Sequence, residues 1–105
     1  MSVPPSKGPQ RITVKIKHNP GNAPSVDQDS VHVWATQGDE IEWVCDNPTK
    51  DFRVRFEDKT PFNQSEYHSK NNRTGAVKTD AKGSYKYSVE IDGKKLDPDV
   101  IVHPP

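Results

Sequence analysis

Nine residues in the C-terminal third, Gly83 to Ile91, alternate strictly enough to rule out most architectures. Tyr85, Tyr87, Val89 and Ile91 interleave with Ser84, Lys86, Ser88 and Glu90. A side-chain period of two, with aromatic and β-branched residues on one face, predicts a half-buried strand. Asp92-Gly93 then supplies a turn, and Val100-Ile101-Val102 a closing strand after the break at Pro98. The remaining apolar residues lie in shorter runs that read as strands assembling around this one.

Arg11 to Lys17 alternates well, with Ile12, Val14 and Ile16 inward. Ser30 to Ala35 places Val31, Val33 and Ala35 on one side and His32 and Trp34 on the other. Glu40 to Cys45 follows the turn at 36–39, with Ile41, Trp43 and Cys45 inward, and Phe52 to Phe56 turns Phe52, Val54 and Phe56 inward. Between them His18–Asp29 and Asp46–Asp51 read as loops rich in Asn, Asp and Pro. Glu57–Thr74 is long, polar and without a period, which in a small domain marks a functional or mobile loop or one holding a short helix. Ala76–Thr79 is a brief strand. Eleven valines against a single leucine, Leu96, favour strands over helices. The fold class is all-β: a Greek-key β-sandwich of about seven strands, with residues 1–10 as a flexible lead-in and 11–105 as a single domain.

Only 30% of the 105 residues are apolar, a thin supply for a core. The 15 basic and 15 acidic side chains cancel, so the high net charge of a disordered chain is missing and a small core under polar loops is the better reading. The same balance argues against nucleic acid or an anionic membrane as the main partner. No apolar run approaches the ~20 residues of a membrane span, and the first residues lack the apolar stretch of a signal peptide. The lone Cys45 forms no internal disulfide, which leans towards the cytoplasm.

The run Gly38-Asp39-Glu40-Ile41-Glu42-Trp43-Val44, an Asx-rich turn and Phe52-Arg53-Val54-Arg55-Phe56 resembles the middle strands of cupredoxins, the small blue-copper sandwiches. Gly83-Ser84-Tyr85-Lys86-Tyr87-Ser88-Val89, ending in Val100-Ile101-Val102, resembles their C-terminal ligand-bearing hairpin. The likeness covers residues 30–102. A blue-copper site takes two imidazoles, a thiolate and a weak axial thioether. The resemblance places the first histidine at Phe52, the cysteine at Val89, the second histidine near Asp92 and the methionine near Leu96. Phe, Val and Leu offer no donor, and Asp92-Gly93 suits a tight hairpin turn. The resemblance therefore implies the fold without its copper and without electron transfer, and no cofactor is expected.

Other candidates are sparse. His18, His32, His68 and His103 show no metal-ligand spacing, and His103 reaches His18 or His32 only if the tertiary structure brings it there. Cys45, inward on its strand, reads as a small hydrophobe rather than a nucleophile. No Gly-x-Ser-x-Gly or comparable element is present, so the chain reads as a non-enzyme. If their strands pair, Glu40 and Glu42 form a charge ladder with Arg53 and Arg55. Asn63-Gln64-Ser65 and Asn72-Arg73-Thr74 match the glycosylation pattern, which matters only in a eukaryotic secretory setting. Trp34 and His32 are the binding candidates: Trp34 is either exposed as a contact residue or covered by the 57–74 loop. The leading expectation is a binding or protein-interaction module, monomer or weak homodimer, for an unknown protein or small molecule. A metal-handling protein built on surface histidines, His32 or His103 with carboxylates, is the alternative, and a small hydrolase on the long loop comes last.

Overall fold

Backbone alternation becomes ten short strands among the described residues: Arg11–Lys17 (β1), Ser25–Val26 (β2), Ser30–Trp34 (β3), Glu40–Cys45 (β4), Arg53–Arg55 (β5), Glu66–His68 (β6), Gly83–Lys86 (β7), Ser88–Ile91 (β8), Lys94–Leu96 (β9) and Asp99–His103 (β10), with a 3-10 turn at Ala35–Gln37. The structure, a computed structural model, describes residues 9–103. The lead-in expected over 1–10 lies outside these residues as far as residue 8. Gln10 is tied down, its N–H donating to the Asp39 carboxylate and its carbonyl accepting from Glu40.

The strands form three sheets, ordered β2-β1-β4, β3-β10-β7 and β6-β5-β8-β9. Two pairings are parallel, β1 with β4 and β3 with β10, and the others antiparallel. The chain is all-β and sandwich-like, and one continuous core joins the inner faces of the sheets. Register matches apolar to apolar: Ile12 lies beside Ile41, Val14 beside Trp43, Val31 beside Val100 and Val54 beside Val89.

An aromatic chain runs through the core. Trp43, wholly buried, meets Tyr67 at 5.4 Å and the edge of Tyr87 at 5.5 Å between ring centres; Phe56 lies 5.2 Å from Tyr87 and 6.1 Å from Phe62. Large rings give a chain with few apolar residues enough buried area per residue. Their polar ends are satisfied: Trp43 Nε1–H donates to Tyr87 Oη at 3.3 Å, and Tyr67 Oη–H to the Gln64 carbonyl at 3.0 Å. Burial pushes both Tyr67 and Tyr87 up to about 12.

The strand expected over Gly83–Ile91 is two strands. Up to Lys86 the chain bonds to β10, and from Ser88 it bonds to β5 and β9. Tyr87 is the corner, its N–H donating to the Pro98 carbonyl at 3.1 Å. Passing between layers covers both sides, so Tyr87, Ser88 and Val89 are buried in succession while Tyr85 is only partly so. The 57–74 segment contains β6 and the buried Phe62 and Tyr67, with no helix. Ala76–Thr79 is not a strand; its backbone N–H groups donate to two separate segments, Val77 to the Asp39 carbonyl and Lys78 to the Pro61 carbonyl. The strands beyond the expected seven, β2, β6 and β9, have two or three residues each, too few to display a period.

The expected charge ladder does not form, because β4 and β5 belong to different sheets. Glu40 pairs with Arg11 at 2.8 Å, Glu42 with Arg73 at 3.3 Å and Arg55 with Glu66 at 2.8 Å. Hydrogen bond and charge raise Arg11 beside Glu40 and Arg55 beside Glu66, and lower Glu66 beside Arg55. Cys45 is half-buried at the end of β4 rather than inside the core, its Sγ 3.8 Å from the Asp46 carboxylate.

Candidate functional site on the outer face of the β3-β10-β7 sheet

Strand alternation sends Val31 and Val33 of β3, and Val100 and Val102 of β10, into the core. Their neighbours therefore face outwards: Ser30, His32 and Trp34 from β3, and Asp99, Ile101 and His103 from β10. Parallel pairing in register sets Ser30 beside Asp99, His32 beside Ile101 and Trp34 beside His103. His103, 71 residues from His32 in sequence, then reaches back diagonally across the face.

Its ring lies against the Trp34 indole, with centres 4.6 Å apart and planes within 17° of parallel. Its Nε2 sits 2.9 Å from His32 Nδ1. The two imidazole centres are 5.2 Å apart and their planes inclined by 23°. That centre distance exceeds the nitrogen separation by about one ring radius for each ring, so the imidazoles meet edge to edge, nearly in line. One nitrogen donates and the other accepts, the tautomer deciding which. His32 is exposed, while Trp34 and His103 are half-buried.

Trp34 is therefore an outer-face residue, as the alternation of β3 predicts, and its immediate cover is His103. Its backbone is fixed from behind, where its N–H donates to Asp39 Oδ2 at 2.9 Å. Asp39 is only 2% exposed and uses its other oxygen to accept from Gln10 N–H. The far end of the face is polar. Asp99 accepts from Ser30 Oγ–H at 2.6 Å and from Ser84 Oγ–H at 3.3 Å.

No family model matches the chain, and no curated protein matches it either. The assignment of a function therefore rests on side chains alone.

A shallow cleft of about 430 Å³ opens on the β6-β5-β8-β9 sheet. Asp51, Glu90 and Asp92 oppose Arg53, His68 and Lys70 along its walls, so it selects no sign of charge. Asp92 accepts from Lys50 Nζ at 2.9 Å and lies 3.5 Å from His18 Nε2; the lysine, then the histidine, hold its carboxyl below the usual range. Phe52 also lines this cleft, and Val89 pairs with Leu96 between β8 and β9. Two of the positions that the resemblance gives to copper ligands thus share the cleft, and the other two are cross-strand neighbours.

Among the described residues no three or more His, Cys, Asp or Glu side chains gather into a metal-holding group, and no helix is long and apolar enough to cross a membrane. In the long loop, Ser69 Oγ–H donates to Asp51 at 3.0 Å while accepting from Phe52 N–H; the hydroxyl closes the loop. Asn72, in one of the glycosylation patterns, donates from Nδ2 to the Trp43 carbonyl at 2.8 Å.

Sequence reasoning singled out Trp34 and His32 for binding and named His103 only in the metal-handling alternative. The only local signal for His103 is its phase, two residues after Ile101 on the outer face. Its meeting with His32 depends on β10 lying parallel to β3, which neither strand states.

Proposed function

We propose that this chain is a non-catalytic binding module on a cupredoxin-like sandwich whose ligand positions carry no copper-binding set, and that it binds through the outer face at Trp34, His32 and His103. The resemblance of residues 30–102 supports the fold, and the chemistry of Phe52, Val89, Asp92 and Leu96 supports the loss of the family's site. The observation that carries the binding reading is the half-exposed indole with an imidazole stacked on it and a second imidazole bonded to the first. Aromatic rings with polar edges, held on a rigid sheet, give contact area at little conformational cost. The 430 Å³ cleft is less suited, since its mixed acidic and basic walls select no sign of charge.

The test is nuclear magnetic resonance of metal-free protein, in the presence of a chelator, against a library of planar, sugar-like and peptide fragments. Bound fragments are expected to shift the Trp34 indole N–H and the amides of β3 and β10. Trp34→Ala should abolish those shifts while leaving the melting temperature within a few degrees, because the removed ring lies outside the core. Shifts confined to the β6-β5-β8-β9 cleft would move the binding site there. A library without any hit on the outer face would remove the proposal.

A further inference from the structure

The imidazole pair also has the spacing of two ligands on one ion. Nitrogens 2.9 Å apart are close enough for both rings, once turned, to reach one ion at ~2.0–2.1 Å, the usual metal–imidazole distance. Imidazole nitrogen suits copper and nickel, and affinity along the divalent series peaks at copper(II). We propose that His32 Nδ1 and His103 Nε2 are neighbouring ligands to a single divalent transition-metal ion, copper(II) or nickel(II). The inference rests on reading this face as the binding surface, and it names one ligand class for it.

In the metal-free pair a hydrogen lies between the two nitrogens, and their lone pairs do not yet converge. The last torsion of a histidine is broad, and His32 is exposed. A partial outward turn of both rings aims both lone pairs at a common point on the solvent side. The hydrogen that bridged them passes to the other nitrogen of its own ring, so two neutral imidazoles bind and the charge balance is that of the ion. The backbones need not move, since the parallel register fixes them, and the Trp34 indole supports the His103 ring from one side. Trp34 acts here as a positioning residue. With two protein nitrogens only, the remaining positions are open to water or to a donor from a bound molecule.

The experiment is titration of the full chain with copper(II), followed by calorimetry and by electron paramagnetic resonance. Wild-type protein is expected to bind a single ion with a tetragonal spectrum and two equatorial imidazole nitrogens. His32→Ala and His103→Ala should each weaken binding roughly tenfold or more, a loss that even an outer partner of a ligand produces, and reduce the nitrogen count by one. His18→Ala and His68→Ala should bind as wild type, and Trp34→Phe, which keeps a ring under His103, should keep both nitrogens in the spectrum. Circular dichroism establishes that each variant is folded. An ion retained unchanged by both His32→Ala and His103→Ala, or no measurable binding, overturns the site. Fragment mapping in chelator is independent of the ion. Failure of copper binding with fragments still on β3 and β10 sinks the metal inference alone, whereas copper binding with fragments mapping elsewhere sinks the broader reading of the face.

Discussion

Asp39 is the buried acid on which the position of Trp34 turns. It sits just after Gly38, whose φ of 66° ends the 3-10 turn in the left-handed region. Its two oxygens accept from the N–H groups of Gln10 at 3.1 Å and Trp34 at 2.9 Å. Hydrogen bonds from backbone N–H to a carboxylate are charge-assisted and short of substitutes when buried. In Asp39→Asn one of the two N–H groups faces an NH₂ instead of an oxygen. The expected cost is about 1–3 kcal/mol, the penalty for an unpaired buried donor, read as a lower denaturation midpoint. A midpoint equal to wild type would show that water replaces the lost acceptor and that the carboxylate does not anchor the end of β3.

The β8–β9 hairpin shows local chemistry deciding an element. Asp92 and Gly93 have φ of 53° and 79°, both left-handed, which is what a two-residue hairpin loop with the twist of its strands requires. Asp tolerates that region and Gly enters it freely, so Asp-Gly is legible as a turn in the sequence. A Cβ on Gly93 would meet nothing within 4 Å, and Gly93→Ala therefore isolates backbone strain from crowding. We expect it to destabilise by about 1 kcal/mol, the usual penalty for a side chain in the left-handed region. Thermal unfolding is the measurement. A variant as stable as wild type would mean that the loop relaxes to another turn type. The corner at Tyr87 had no such local signal. Tyr85, Tyr87, Val89 and Ile91 keep one period through it, because changing hydrogen-bond partners from β10 to β5 leaves the side-chain alternation of a strand intact.

At the scale of the molecule, core stability is linked to alkaline pH. Tyr67 and Tyr87 are buried, at 0% and 2% exposure, and burial raises both from 10.0 to about 12. A group whose folded value lies above its unfolded value contributes stability fully below the unfolded value, and loses it as pH rises towards the folded one. Each tyrosine is thus expected to remove on the order of 2 kcal/mol between pH 10 and about 12. Tyrosinate absorbance and circular dichroism, followed together, should show these two phenols ionising as the fold is lost. All three tyrosines ionising reversibly near pH 10 with the dichroism intact would mean that the aromatic core is open to water.

The sequence by itself determined the strands whose two faces meet different surroundings. In Arg11–Lys17 and Glu40–Cys45 the alternation of water and core is written residue by residue, and both strands have the bounds that pattern predicts. The outward placing of His32 and Trp34 was legible for the same reason, as the complement of Val31 and Val33. Only the tertiary structure decided which strands are neighbours. A period of two says which way a side chain points and nothing about what lies across the sheet, so Glu40 found Arg11 rather than Arg53, and β2, β6 and β9 formed on backbone pairing with almost no pattern of their own. The His32–His103 pair belongs to this second kind. It exists because β10 runs parallel to β3 in one register, a choice made by the packing of Val31, Val33, Val100 and Val102 in the core beneath it.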